Sequence, residues 1–278
     1  MRKVLNFVLI CFITCFSFYY TDKIIDLSKK KDPIMIEIEK IKKEKELSVV
    51  NGTLSNGTMQ VGSSGYSINE DISYEKMKRL DKFNESLLEY VSVKPTIRKD
   101  EHYDKLITGK NTNKKELSLV FKTNDVLKIE EIIYILDNNN VTATFFLDGT
   151  ILENNLTEIN NIFNSGNTLG YFGYNKKYDE ISFRYLKGFF DKNIKSISKY
   201  CLYVNDEYLD TCTKYKINTI SSIVIEKDLY NYIKNNREKG NIYGIDVNDF
   251  NIKELNSTII YLKQKGYNIR NINELLKE

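Results

Sequence analysis

Histidine limits the chemistry open to this 278-residue chain more than any other residue type, because the sequence contains a single one, His102. A metal site or an acid–base mechanism that needs two histidines from one chain is therefore excluded. His102 lies in the charged segment Lys99–Tyr103, KDEHY, which predicts an exposed side chain at the surface. The acidic side chains remain as the groups that could hold a metal.

Five aspartates follow apolar segments and form the second group with chemical interest. We expect them near the ends of strands, where barrel proteins build their sites. One interpretation is a metal site made of carboxylates alone. The other is that they cap helices and form turns, which is the commoner role of aspartate at such positions. We favour capping for this set: Asp125, Asp148, Asp179, Asp246 and Asp249.

The four cysteines fall into two pairs along the sequence. Cys11 and Cys15 lie within an apolar run, where a thiol behaves as a small hydrophobic group. Cys201 and Cys212 could form a disulfide if they meet in space, but the spacing alone does not decide this. We expect a pair of free, buried thiols.

Strands and helices alternate from residue 115 onward, and these elements must position any site. Leu117–Phe121 predicts a buried strand, residues 128–138 an amphipathic helix, and residues 142–147 the next strand. The pattern continues with strands at 168–171, 200–204, 218–220 and 242–245, and helices at 155–164, 183–194, 207–214, 229–238 and 252–265. This spacing predicts an α/β fold with a mainly parallel sheet, open or closed into a barrel.

Within this region, three segments carry recognisable motifs. The most specific is Val141–Gly149, VTATFFLDG, and the others are Gly166–Gly170, GNTLG, and the closing stretch 261–276. Together they resemble the polysaccharide deacetylases that contain a NodB-homology domain. The resemblance covers roughly residues 115–278. It implies a distorted (β/α) barrel with fewer than eight strands, and a protein that faces the cell wall.

The same resemblance implies metal-assisted hydrolysis of an acetamide, with a divalent metal such as zinc held by one aspartate and two histidines. Position by position, the Asp-Asp motif falls on Lys122 and Thr123, and the metal histidines fall on Phe172 and Lys176. The late histidine, the general acid, falls on about Asp246. Because lysine, threonine and phenylalanine do not suit a dication, we predict a degenerate site with no cofactor and no catalytic residue.

Four aromatic residues stand near the lost metal ligands: Tyr171, Phe172, Tyr174 and Tyr178. Aromatic faces pack well against sugar rings, so these residues either contact a glycan or simply fill a vacated pocket. We expect an inactive protein that binds or acts on cell-wall or surface polysaccharide. The alternative is an active carbohydrate de-N-acetylase with a rearranged metal site. A third hypothesis places the function in residues 48–100, with the barrel as a platform.

The N-terminus combines a basic start, Arg2 and Lys3, with the apolar run Val4–Tyr20. Bulky aromatics end this run instead of the small residues that a signal peptidase prefers, so we expect an uncleaved anchor. The basic start favours a cytoplasmic N-terminus, with the bulk of the protein outside the cytoplasm. The predicted localisation is therefore a single-pass protein of the cell membrane. A cleaved signal peptide is the alternative.

The predicted organisation has four parts. They are an anchor at 1–22, a charged juxtamembrane helix or stalk at 23–47, a small α+β extension at 48–110 and a NodB-like domain at 111–278. With 41 basic and 38 acidic residues the net charge is only +3, so we expect no nucleic-acid partner. The sequence makes no prediction about the oligomeric state.

Overall fold

The computed structural model describes residues 2–194 and 197–278. Contacts between Cα atoms divide the chain into two units. The smaller unit contains the residues up to Ser48 together with Gly65–Val93, and the larger contains Val49–Ser64 together with Lys94–Glu278. Residues 48–110, which the sequence analysis groups as one extension, are thus divided between the two units.

The elements are numbered in chain order. The helices are α1 (Arg2–Lys30), α2 (Pro33–Lys45), α3 (Glu70–Lys78), α4 (Val126–Asn138), α5 (Gly149–Asn154), α6 (Leu156–Asn164), α7 (Glu180–Asn193), α8 (Asp206–Lys214), α9 (Leu229–Asn236), α10 (Asp249–Gln264) and α11 (Ile272–Leu275). The strands are β1 (Thr53–Ser55), β2 (Thr58–Val61), β3 (Gly65–Ile68), β4 (Tyr90–Val93), β5 (Leu106–Lys110), β6 (Glu116–Lys122), β7 (Thr144–Asp148), β8 (Thr168–Gly173), β9 (Ile197–Leu202), β10 (Asn218–Ile220), β11 (Ile223–Ile225), β12 (Ile242–Asp246) and β13 (Asn268–Ile269).

The smaller unit is built from α1, α2, α3 and the antiparallel pair β3–β4. Asp32 caps α2, since its side chain accepts a hydrogen bond from the amide of Ile34. Ile34 and Ile38 are one turn apart and lie buried in a cluster with Ile68 and Met77. The charged segment predicted as a solvated stalk is therefore a helix with one packed apolar face.

Helix α1 contains the apolar run that the sequence analysis interprets as an anchor. At a rise of about 1.5 Å per residue, some 17 residues span roughly 26 Å, less than the hydrocarbon thickness of about 30 Å. Among the described residues, no helix has both the length and the apolar character that crossing a bilayer requires. The predictions of a membrane anchor and of a single-pass membrane localisation are therefore wrong.

The larger unit contains one curled sheet, with the strand order β1-β2-β5-β10-β9-β8-β7-β6-β12-β11. Neighbouring strands from β2 to β11 are parallel, and only β1 runs antiparallel to its partner β2. Just two residues, Ser221 and Ser222, separate β10 from β11, although the sheet path between these strands passes through five others. The sheet therefore curls into an open half-barrel, which confirms the predicted distorted (β/α) barrel. The expectation of fewer than eight strands is wrong, since the path contains ten.

Side chains alternate between the two faces of this sheet, as strand geometry requires. Val120, Phe146 and Phe172 point into the barrel and form an inner core. Their chain neighbours Phe121 and Phe145 belong to the outer core, which the surrounding helices cover. A residue's position along its strand therefore decides whether it faces the barrel or the helices.

Cys201 in β9 and Cys212 in α8 form a disulfide, with their Cα atoms 6.6 Å apart. Both residues are fully buried. The expectation of two free thiols is wrong because α8 follows β9 directly and packs back onto it, so the two side chains meet between strand and helix.

Candidate functional site

A cavity of about 480 Å³ opens at the carboxyl ends of the barrel strands, and we call it the mouth cavity. Barrel proteins build their sites at this end because the loops that follow the strands converge there. Its lining comes from β6, β9, β11, β12 and the link between β10 and β11: Val120, Lys122, Leu202, Tyr203, Ser221, Ser222, Val224, Glu226, Gly244, Ile245 and Asp246.

Lys122 and Phe172 contact each other inside the barrel mouth. The Nζ atom of Lys122 lies 4.9 Å from the centroid of the Phe172 ring, the geometry of a cation–π interaction. Phe172 is 3% exposed, and its ring also packs edge-on against Tyr178 with the centroids 5.3 Å apart. Phe172 thus occupies a position at which the family resemblance implies a metal histidine, and Lys122 replaces the first aspartate of the Asp-Asp motif beside it.

Thr123 and Lys176, the other degenerate metal positions, have local structural roles. The hydroxyl of Thr123 accepts a hydrogen bond from the amide of Asp125, in the turn before α4. Lys176 has a φ of +57° and follows Asn175, which has a φ of +53°, in the tight turn after β8. Neither residue presents a group that suits a dication.

Asp148, at the end of β7, is 2% exposed and accepts hydrogen bonds from two neighbouring segments, the first turn of α5 and the turn after β8. Its Oδ1 accepts hydrogen bonds from the amide and hydroxyl of Thr150 and from the amide of Asn175, at 2.7–3.0 Å. Its Oδ2 accepts from the amide of Lys176 at 2.7 Å. Burial by itself raises the pKa of this carboxyl, but the hydrogen bonds outweigh it and hold the pKa below its ordinary value.

The other aspartates near the strand ends are also engaged locally. Asp125 caps α4 and Asp179 caps α7, each accepting hydrogen bonds from amides of the first turn. Asp249 pairs with Lys128 at 3.0 Å, and Asp246 accepts a hydrogen bond from the side-chain amide of Asn248 at 3.2 Å. The capping interpretation is thus confirmed for Asp125, Asp148 and Asp179.

The donor set does not fit the divalent metal that the family implies. Across the part of the chain that the structure describes, no three His, Cys, Asp or Glu side chains are grouped closely enough to hold a metal ion. Lys122 and Asp246 are partners in the register of β6 and β12, so a cation stands opposite the carboxylate at the mouth. We derive no step that uses a metal.

Two of the four aromatic residues predicted as glycan contacts lie in packed surroundings. Tyr171 faces the helices, where its ring centroid lies 5.3 Å from that of Phe183 and 5.0 Å from that of Phe190. Burial, with a smaller effect of Asp191, raises the pKa of Tyr171 to about 12. Phe172 fills the barrel interior as described above.

The other two pack at the edge of the same region. Tyr174 donates a hydrogen bond to Glu153 at 2.7 Å and packs against the ring of Tyr185. Tyr178 contacts the rings of Phe172 and Tyr208. The mouth cavity is lined by other residues, so these aromatics do not form its surface.

Sequence reasoning missed Tyr203, Ser221, Ser222 and Glu226 as lining residues of the mouth cavity. Tyr203 follows β9 and lines the cavity, and its hydroxyl donates to Asp206 at 2.9 Å. The available signal was the pair of serines that separates the predicted strand 218–220 from the apolar segment 223–225. This pattern indicates a change of direction between two strands.

Comparisons with known proteins relate part of the chain to a family. A model of the family Polysaccharide deacetylase matches residues 109–209. Residues 109–209 thus match a polysaccharide deacetylase domain over less than half of the chain. The chain is 29% identical over 155 residues to the uncharacterized protein YlxY of Bacillus subtilis (strain 168), an alignment that covers 54% of this chain and 48% of YlxY. The matched region thus spans about half the length of this relative.

Solved structures of CE4 family proteins show the same fold. BA3943 of Bacillus anthracis, a CE4 family pseudoenzyme, matches with a TM-score of 0.68 and 22% identity over 89% of this chain and 96% of that one. A BA3943 mutant with restored enzymatic activity matches equally well. The family 4 carbohydrate esterase PdaA of Bacillus subtilis matches with a TM-score of 0.53 and 20% identity, over 64% and 87% of the two chains.

Proposed function

We propose that this protein is a member of the polysaccharide deacetylase family that has lost catalysis and binds a cell-wall or surface glycan in the mouth cavity. The observation that carries the proposal is the contact between Lys122 and Phe172, which places an aromatic ring where a metal histidine of the family is expected and a cation directly beside it. The fold shared with BA3943, which is a CE4 family pseudoenzyme, agrees with this proposal.

The loss of catalysis follows from the charges and donor atoms at the mouth. The ammonium group of Lys122 repels a dication electrostatically, and the Phe172 ring has no lone pair to donate. Asp148, the most buried aspartate nearby, uses both carboxylate oxygens to accept amide and hydroxyl hydrogen bonds. Without a bound metal, the described residues of this mouth lack the Lewis acid that activates water in the family mechanism.

Glycan binding agrees with the size and lining of the mouth cavity. A volume of about 480 Å³ lies in the usual range for small-molecule sites of about 300–1,000 Å³. The ring of Tyr203 provides an apolar face for a sugar, while Ser221, Ser222 and Asp246 offer hydroxyl and carboxylate groups for sugar hydroxyls. This mixture of one aromatic face and several polar groups suits a neutral carbohydrate.

Binding of oligomers of N-acetylglucosamine to the purified chain, measured by isothermal titration calorimetry, tests this proposal. We expect Tyr203→Ala and Asp246→Ala each to weaken binding by about fivefold or more. Tyr134→Ala is the matched control, because Tyr134 is 69% exposed on α4, away from the cavity. Equal affinity in all three variants, or no binding by the unmodified chain, would contradict glycan binding at the mouth.

A further inference from the structure

A second cavity of about 540 Å³ lies in the larger unit, at the end of the barrel opposite the mouth. Lys199 and Tyr200 line it from the middle of β9, Asn218 from the first residue of β10 and Lys216 from the turn just before β10. Lys216 and Asn218 lie at the amino-terminal end of β10, whereas the mouth cavity lies at the carboxyl ends of the strands. We call this second site the basic cavity.

The basic cavity concentrates positive charge on a chain that is almost neutral overall. Two acidic residues, Asp100 and Glu278, also line it. The six basic residues at its wall are Lys94, Arg98, Lys99, Lys199, Lys216 and Lys277. Since the net charge of the whole chain is only +3, this cluster is a local feature.

Four of these cations have no acidic partner among the residues that the structure describes. Arg98 pairs with Asp100, and Lys99 pairs with Glu278 at 3.7 Å, so both acidic residues are already engaged. Within residues 2–194 and 197–278, no carboxylate lies within 4.0 Å of the ammonium groups at the remaining four positions. These positions are Lys94, Lys199, Lys216 and Lys277.

Hydrogen bonds of Lys99 fix the inner wall of the basic cavity. Lys99 donates a hydrogen bond from Nζ to the carbonyl of Leu276 at 2.7 Å, and its carbonyl accepts one from the side chain of Asn218. The Lys99 side chain is 21% exposed; burial lowers its pKa, and Glu278 offsets this only in part. Its positive charge is therefore incompletely compensated, and a bound anion would stabilise it.

We propose that the basic cavity binds a small phosphorylated ligand, such as a phosphate ester with at least two negative charges. Several lysine point charges around one concave site match a group that carries more than one charge, better than they match a single carboxylate. The half-buried ring of Tyr103 at the cavity wall offers a face for the organic part of such a ligand. This site is independent of the mouth cavity and of glycan binding there.

Titration calorimetry with inorganic pyrophosphate tests the proposal on the full chain. We expect saturable binding that weakens at higher ionic strength, as screening of exposed charges requires. Lys199→Gln combined with Lys216→Gln should weaken binding by about tenfold or more, because each removes a charged hydrogen-bond donor. Glucose is the uncharged comparison and should not bind in the basic cavity.

A matched control is the pair Lys192→Gln and Lys253→Gln, exposed lysines on α7 and α10 that do not line the basic cavity. This variant should bind pyrophosphate as the unmodified chain does. The proposal is overturned if the unmodified chain does not bind pyrophosphate, or if the two double variants lose affinity equally. Melting temperatures of both variants show whether the fold is retained.

Discussion

At the scale of single residues, the mouth of the barrel differs from a metal site in the sign of its charge and in the donor atoms that it offers. Lys122 contributes a positive charge, and Phe172 fills with carbon the volume in which an imidazole would have to coordinate. The contact between them is attractive, with a free energy of about 0.5–2 kcal/mol for a typical cation–π pair. The two replacements therefore stabilise each other as well as removing a ligand set.

Asp148 gives the clearest residue-scale prediction. Asp148→Ala should lower the free energy of unfolding at pH 7 by about 2–4 kcal/mol. Four hydrogen-bond donors, in the first turn of α5 and in the turn after β8, lose their acceptor in this variant. The pKa of this carboxyl is lowered in the folded state. Its contribution is therefore complete above the unfolded pKa of about 3.9 and is lost as the pH falls through the folded pKa.

Urea unfolding at pH 7 and at a series of lower pH values measures both effects. Asp148→Asn serves as the control, since it keeps a carbonyl acceptor but cannot ionise. The free-energy difference between the unmodified chain and Asp148→Asn should shrink as the solution is acidified below pH 4. A difference that stays constant with pH would show that the ionised carboxylate contributes nothing special to the fold.

Gly170 in β8 predicts a steric effect inside the barrel. A Cβ atom at this position would lie 2.1 Å from the ring of Phe146, so Gly170→Ala should destabilise the fold by about 1–3 kcal/mol. In contrast, Gly188 lies in α7 with open space around it. Gly188→Ala should therefore stabilise the fold by about 0.5–1 kcal/mol. Thermal or urea unfolding of the two variants should show shifts of opposite sign.

At the scale of elements, sequence patterns predicted most of the barrel. The strands at 117–121 and 142–147 and the helix at 128–138 match β6, β7 and α4 closely, because each combines a periodic apolar pattern with clear end signals. The strand β11 was missed because it is only three residues long and follows β10 after two serines, without a helix between the two strands. The packed apolar face of α2 was also missed, because charged residues surround its isoleucines in the sequence.

Two features of the N-terminal region differ from what local sequence patterns indicate. Residues 73–91 have a helical rhythm, but α3 ends at Lys78, and Tyr90–Val93 forms a strand with Gly65–Ile68. Strand pairing of this kind overrides local propensity. The apolar run in α1 was interpreted as an anchor from its composition, and no membrane-spanning helix is found among the described residues.

The disulfide between β9 and α8 leads to a prediction at this scale. Replacing Cys201 and Cys212 together by alanine should lower the free energy of unfolding by about 2–3 kcal/mol, as expected for a short closed loop. Urea unfolding with and without a reductant measures this. Reductant should destabilise the unmodified chain and leave the double variant unchanged; an equal response of both proteins would exclude the disulfide as the cause.

At the scale of the whole molecule, two cavities lie at opposite ends of one curled sheet. The family resemblance predicted a functional site at the mouth, because the motifs of the family follow the barrel strands that end there. Nothing in the sequence indicated the basic cavity, since its residues come from segments around 94–103, 199–218 and 273–278. Only folding brings these segments together.

The central claim is that the barrel mouth holds no metal and therefore does not deacetylate. The most direct measurement is the zinc content of the purified chain after incubation with zinc and gel filtration, together with acetate release from an N-acetylated glycan. A variant with Lys122→Asp, Thr123→Asp, Phe172→His and Lys176→His is the positive control, and it should retain more zinc than the unmodified chain.

For the unmodified chain, we predict zinc at trace level only and no acetate above the background. Stoichiometric zinc that stays with the unmodified chain, accompanied by acetate release, would contradict the account.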